Sequence, residues 1–164
     1  MLDIMKKNYQ LVSPIDGETM DLEKVDDMVF AEKLAGDGLA IVSTGDILVA
    51  PGDGKLTLIF KTNHAVVITL KSGVEILVHI GLDTIKLCGE GFTRLVEQGE
   101  NVKAGQPIIK LDRKYIEGRG CTLVVPLLIT KPQEVNFSLE NIGKKVSAGQ
   151  DILINYRLNK RREF

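Results

Sequence analysis

The chain has two histidines, His64 and His79, and both fall within the stretch TNHAVVITLKSGVEILVHIGLDT, Thr62 to Thr84. Two β-rich runs, HAVVITL and GVEILVH, flank Lys71-Ser72 there. A hairpin with that two-residue loop sets His64 directly opposite His79, and opposed side chains share a face with Cβ atoms roughly 4.5–5.5 Å apart. A three-residue loop slips the register and turns one ring to the other face. Two neighbouring imidazoles offer two kinds of chemistry. In one, a neutral ring nitrogen attacks a phosphoryl group and holds it covalently. The second imidazole, hydroxyls and backbone N–H groups then donate hydrogen bonds to the phosphoryl oxygens. In the other, the pair supplies half of a tetrahedral zinc shell, with Asp83, four residues after His79, as a further ligand candidate. A third reading makes both histidines ordinary strand residues. Against it, HIGLDT puts a glycine and an acid where a strand meets a loop, a place where function concentrates. Thr62 and Asp83, taken singly, read as turn or cap residues.

The elements that must position this pair are strands. ILVAP, KLTLIF, HAVVITL, VEILVHI, QPIIKL, TLVVPLLIT and QDILINY are short β-branched runs separated by turn residues, 16 of them glycine across the chain. Several are apolar on both faces, which suits strands buried in a sandwich. Helical pattern is scarce. DDMVFAEKLAGDG offers one short turn ending at a capping glycine, and RKYIEGRG a second whose start Asp112 can cap. GENVKAGQPIIKL (Gly99 to Leu111) and GKKVSAGQDILIN (Gly143 to Asn155) share G-x-x-V-x-A-G-Q-x-I, and SPIDGE (Ser13 to Glu18) echoes APGDGK (Ala50 to Lys55). Two copies of one turn-and-strand unit predict an all-β fold, a duplicated, pseudo-symmetric β-sandwich with few short helical turns. The expected layout is one domain over residues 13–155, an N-terminal extension (1–12) and a solvated tail (156–164) containing NKRREF.

Composition narrows the function classes. The 164 residues are 44% hydrophobic and 26% charged, with 21 Lys and Arg against 22 acids and a net charge of -1. That balance gives no electrostatic basis for nucleic acid or an anionic membrane as the main partner. No apolar run approaches the roughly 20 residues that span a bilayer. The start has no signal-peptide pattern, so a cytoplasmic protein is expected. The first residues also lack an amphipathic helix, which speaks against tethering to a membrane surface by that route. Cys88 and Cys121 lack CxxC spacing and are expected as reduced thiols.

VFAEKLAGDGLAI (Val29 to Ile41), APGDGKL (Ala50 to Leu56), TNHAV (Thr62 to Val66), GVEILVHIGLDTIKLCGEGF (Gly73 to Phe92) and VKAGQ (Val102 to Gln106) occur in this order. With these motifs the chain, from about Ser13 to about Asn155, resembles the glucose-type enzyme IIA of the bacterial phosphoenolpyruvate-dependent sugar phosphotransferase system. The resemblance implies a β-sandwich with a duplicated hybrid motif. It implies that His79 accepts a phosphoryl group on Nε2 from the phosphorylated histidine of the carrier HPr and passes it to a cysteine on the IIB domain of a sugar permease. His64 would flank and stabilise that group, Thr62 would hydrogen-bond within the network, and Asp83 would line the rim. Val29, Phe30, Leu34, Phe60, Leu77 and Ile85 are candidates for an apolar ring that meets both partners, with core packing as the alternative for each. No cofactor is required, and zinc between His64 and His79, completed by a partner's carboxylate, is a further implied possibility, as is regulation of other proteins through the phosphorylation state. Cys88, the loop after Ile68 and GRGCT (Gly118 to Thr122) depart from the family pattern. The loop bears on the hairpin register. Two other relatives of the fold fit poorly: a zinc hydrolase needs an H-x-H pair that is missing, and a swinging-arm carrier needs a modified lysine in a context that Lys103 lacks.

Overall fold

The computed structural model describes residues 7–159. The start of the expected N-terminal extension, where no amphipathic helix was expected, and most of NKRREF lie outside the described residues. The chain runs through β1 (Tyr9–Val12), β2 (Gly17–Asp21), β3 (Asp37–Ser43), β4 (Ile47–Val49), β5 (Gly54–Ile59), β6 (Ala65–Leu70) and β7 (Glu75–His79). It continues through β8 (Phe92–Arg94), β9 (Asn101–Val102), β10 (Pro107–Leu111), β11 (Val124–Ile129), β12 (Val135–Leu139), β13 (Lys145–Val146) and β14 (Ile152–Leu158). All seven expected runs are strands. Residues 9–12 and 156–158, expected to lie in the terminal segments, belong to the sheets: β1 pairs with β14.

One eight-stranded sheet has the order β13-β2-β3-β11-β7-β6-β5-β9, and two three-stranded sheets have the orders β1-β14-β12 and β4-β10-β8. These orders answer one another strand for strand about the seam between β11 and β7. Strands β4 to β10 form one unit, inserted within a second made of β1 to β3 and β11 to β14. The sheets pack as a sandwich and do not close into a barrel.

The duplication reaches atomic detail. Gly54 pairs with Val102 and Lys55 with Asn101, as Gly17 pairs with Val146 and Glu18 with Lys145. The Asp53 carboxylate accepts from the Ala104 N–H at 2.8 Å, and Asp16 accepts from Ala148 at 2.7 Å. The two A-G-Q turns abut: a Cβ on Gly149 would sit 3.1 Å from the Gly105 Cα, and both glycines have positive φ, +73° and +85°. A side chain at Gly149 meets both a crowded contact and a disfavoured backbone, and one at Gly105 meets the disfavoured backbone.

Burial follows the pleat. In β7, Ile76 and Val78 are fully buried while Glu75 is exposed. Central β11 is buried on both faces, as its unbroken apolar run demands. Most of the apolar residues fill one core. A smaller cluster, Leu22, Val25, Phe30, Ala40, Leu82 and Leu128, lies apart from it. It seats helix α1 (Met28–Ala31), whose first turn Asp27 caps by accepting from the Val29 N–H at 2.9 Å. Helix α2 (Arg113–Gly118) is capped by Asp112, as expected. The expected glycine stop of α1 is corrected: the helix ends at Ala31 with Glu32 as its C-cap, Lys33 takes φ 59°, and Gly36 lies farther on. Ion pairs from Lys33 to Glu23 at 3.4 Å and to Asp37 at 3.7 Å help hold that turn.

Candidate functional site

His79 is the last residue of β7, and His64 lies just before β6. The loop between β6 and β7 has three residues, Lys71-Ser72-Gly73, closed by the Leu70 N–H donating to the Val74 carbonyl at 2.8 Å. The two-residue loop and direct His64–His79 pairing expected from sequence are therefore corrected. Gly73, at φ +91°, supplies the backbone conformation that the turn needs, and Ala65 is the residue opposite His79. An unbroken pleat in this register would send the two rings to opposite faces. They meet nonetheless, with centroids 5.0 Å apart and planes at 77°. The reason is local: His64 stands outside the regular strand, after a turn that passes through Asn63 at φ 58°. The Asn63 N–H donates to the Phe60 carbonyl at 2.7 Å and closes that turn.

The His79 Nδ1 lies 2.8 Å from the Gly81 carbonyl oxygen. A carbonyl only accepts, so Nδ1 carries the hydrogen and Nε2 of the neutral ring keeps its lone pair. Gly81 is needed for this: its φ is +82°, and a Cβ would fall 2.6 Å from the Thr84 Cγ2 and 2.8 Å from the Thr122 carbonyl oxygen. The Phe30 ring rests on His79 with centroids 4.9 Å apart. Burial pushes the His79 pKa below the usual imidazole value, against the opposing pulls of the Gly81 carbonyl and the Asp27 carboxylate. His64 is only 3% exposed. Burial, and then the neighbouring His79, push its pKa down to about 4. Both rings are therefore neutral at pH 7, the state a nitrogen nucleophile requires. The Thr62 hydroxyl is hydrogen-bonded to the His64 Nδ1. If it donates, His64 carries its hydrogen on Nε2 and presents a donor on the free side of the ring.

The two rings line a shallow depression of about 210 Å³, shared with Asp27, Val29, Asp83, Thr84 and Ile85. A larger hollow of about 500 Å³ lies toward the far end of β5 and β6, among Lys55, Lys71 and Lys103, away from both imidazoles. Asp83 is exposed at the rim in a left-handed conformation. Of the six ring candidates, Val29 (47%), Leu34 (72%), Phe60 (36%) and Ile85 (61%) are exposed. Phe30 and Leu77 are placed otherwise. Phe30 is buried against His79, where it also lines the depression, and half-buried Leu77 packs on the small cluster under α1. Sequence reasoning missed four features: the Gly81 carbonyl, the Asp27 carboxylate, exposed Met28 beside Val29, and the Arg94 side chain, which donates to the Asn63 side-chain oxygen. Two of them had a readable signal: Gly81, the glycine of HIGLDT, and Asp27, an acid just before the MVFA run.

Among the described residues, no group of three or more His, Cys, Asp or Glu is arranged to hold a metal ion. The histidine pair offers two of the four donors of a zinc shell. Cys88 and Cys121 are both free thiols. No helix among the described residues is long and apolar enough to cross a membrane.

The profile of the family described as phosphoenolpyruvate-dependent sugar phosphotransferase system, EIIA 1, matches residues 9–135. The glucose-specific EIIA component of Borreliella burgdorferi is 44% identical over 154 residues, 93% of this chain and 82% of that protein. The glucoside-specific EIICBA component of Staphylococcus carnosus is 42% identical over 144 residues, 88% of this chain and 21% of that longer protein. Among solved structures, glucose permease IIA from Mycoplasma capricolum matches with a TM-score of 0.81 and 37% identity, over 91% of this chain and 96% of that one.

Proposed function

Because the chain belongs to the EIIA 1 family of the phosphoenolpyruvate-dependent sugar phosphotransferase system, and is thus a phosphoryl relay of sugar transport, we propose that Nε2 of His79 is the atom that carries the phosphoryl group. The observation behind this is the hydrogen bond from His79 Nδ1 to the Gly81 carbonyl, which leaves the nucleophilic lone pair on Nε2. Phosphorylated HPr is the proposed donor. As the new N–P bond forms on His79, the N–P bond on the donor histidine breaks. The onward step exchanges the His79 N–P bond for an S–P bond on a cysteine of the IIB component.

His64 donates from Nε2 to the phosphoryl oxygens, held by the Thr62 hydroxyl on its other nitrogen. Transfer of this kind depends on positioning and charge stabilisation more than on acid–base groups, and the relay as proposed needs no cofactor. A zinc ion between the histidines would require its remaining donors from a partner. EIIA components of this system work with permease IIB and IIC components, which EIICBA relatives carry in the same chain. Exposed Val29, Leu34, Phe60 and Ile85, with Met28, form the proposed apolar contact for both partners. Asp83 at the rim repels an incoming phosphoryl group unless a partner's cation compensates it. The proposed location of the relay is the cytoplasm.

The test is intact mass after incubation with phosphoenolpyruvate, the general phosphotransferase enzyme and HPr. One acid-labile phosphoryl group is expected on the wild type and none on His79→Ala. His64→Ala should accept the group but pass it on slowly. Acceptance by His79→Ala and not by His64→Ala reverses the two roles.

A further inference from the structure

We infer that Arg94 and Asn63 form a positioning clamp that holds the His64 ring against His79, a role that deepens the phosphoryl-relay reading and rests on it. The register of β6 and β7 does not itself bring the rings together: Ala65 is the residue paired with His79, and the His64 carbonyl receives the Ile80 N–H at 2.7 Å. The meeting depends on the turn between β5 and β6. That turn needs Asn63 in the left-handed region, at φ 58°, which asparagine tolerates better than most residues. Arg94, on β8 of a different sheet, ties the turn down at two points. Its Nε donates to the Asn63 Oδ1 at 2.5 Å, and its Nη2 donates to the Phe60 carbonyl at 3.4 Å. The Phe60 carbonyl also accepts the Asn63 N–H. One guanidinium therefore grips both the first residue of the turn and the residue that sets the direction of His64. Thr62, whose hydroxyl holds the His64 Nδ1, rides on the same turn.

Arg94 is partly covered, with its side chain 28% exposed, and its remaining charged contact, to Glu97, is long at 3.8 Å. Its two bonds to the turn are the specific ones. Neither Arg94 nor Asn63 lines the depression that contains the imidazoles, so both act through His64. A planar fork that reaches two acceptors is also something lysine cannot reproduce.

The experiment compares Arg94→Ala, Asn63→Gly and Asn63→Asp. Asn63→Gly leaves the backbone free to adopt the turn and removes only the acceptor. Asn63→Asp keeps both the acceptor and a tolerable left-handed conformation. Single-turnover transfer from the phosphorylated chain to a IIB domain should slow about 10- to 100-fold in Arg94→Ala and Asn63→Gly, the range expected when a reacting geometry loosens by about 1 Å. Acceptance from phosphorylated HPr should stay within about threefold. Asn63→Asp should restore onward transfer. In a His64→Ala background, adding Arg94→Ala should slow transfer no further, because the clamp has nothing left to position.

A readout without phosphorylation separates this inference from the relay itself. Proton cross-relaxation between the His64 and His79 rings should be strong in the wild type and weak in Arg94→Ala and Asn63→Gly. Unchanged cross-relaxation, or equal slowing by Arg94→Ala with and without His64, overturns the clamp. Phosphorylation of His79→Ala would instead overturn the assignment of the acceptor and leave the ring measurement standing. Should Arg94→Ala fail to fold, the Asn63→Gly and Asn63→Asp pair decides alone.

Discussion

The depressed His64 pKa makes a prediction about stability that needs no partner protein. The folded ring titrates at about 4, with burial the main cause and His79 the second. The unfolded ring titrates near 6.5. Between those values the unfolded chain binds more protons than the folded one, so the free energy of unfolding rises with pH across that window. This contribution is complete above about pH 6.5, declines as the solution is acidified, and is gone below about pH 4. A pKa unit corresponds to about 1.36 kcal/mol, so the depression is worth about 3 kcal/mol. His79 is shifted in the same direction and adds to the slope. The informative perturbation is His64→Gln, which keeps a neutral N–H donor and removes the titration. Urea unfolding of wild type and variant, followed by circular dichroism from about pH 4 to about pH 7.5, gives two stability curves. Carboxylates common to both cancel in the difference. That difference should shift by about 3 kcal/mol in favour of the variant on going from pH 7 to pH 4, whatever the variant costs at pH 7. Curves that stay parallel within about 0.5 kcal/mol would show that His64 titrates alike in both states, and the neutral-pair reasoning would fail.

Three further predictions concern neighbouring residues and conditions. If His79 is the acceptor, as proposed, it must be neutral to react, so the acceptance rate should be level at neutral pH and fall on acidification with a midpoint below 6.5; a midpoint at or above 6.5 refutes the burial of that ring. Phe30→Ala removes a side chain that is 4% exposed and supports His79; it should cost roughly 3–5 kcal/mol in denaturant unfolding, and a loss under 1 kcal/mol would mean that Phe30 is not a packed support. Ile85→Asp, at a 61% exposed position on the depression, should leave stability within about 0.5 kcal/mol while raising the KM for phosphorylated HPr about tenfold; an unchanged KM removes Ile85 from the contact surface.

The parts of this molecule that could be read from sequence are those in which a side chain answers to local geometry. The A-G-Q repeats showed the duplication because Gly105 and Gly149 must both take positive φ and touch each other. Asp112 announced its helix through a cap that forms. Seven strands, β1, β2, β3, β8, β9, β12 and β13, were not legible. Six of them have five residues or fewer, and seven-residue β3 begins within the LAGDG stretch that reads as a helix stop. The equally short β4, β7 and β10 sit in longer apolar runs. The histidine pair was found for a reason that needed correction. The two-residue loop was wrong because Gly73 joins the turn, and the rings meet through the left-handed Asn63 instead of through opposed pairing. Arg94 gave no signal at all, since its partners lie 31 and 34 residues away in sequence. Phe30 and Leu77 looked like surface candidates because apolar residues near a site read alike whether they face a partner or support the site from below.

The duplicated plan also explains why the histidine pair occurs once and not twice. The mirrored strand orders make the connection between β5 and β6 the counterpart of the connection between β2 and β3. The first is a tight turn that delivers Thr62 and His64 to the end of β7. The second, residues 22–36, is long enough to lie across the sheet beside Ala40 and Leu128, where it brings Phe30 and Asp27 to the same histidine. Two equivalent connections have diverged, one into a turn that supplies the second imidazole and one into a capped helix that supplies the floor. His79 stands at the central seam, on β7 beside β11, where both can reach it. Strict symmetry would have placed identical connections at opposite ends of the sheet and completed neither site. The single histidine pair is therefore a product of broken symmetry.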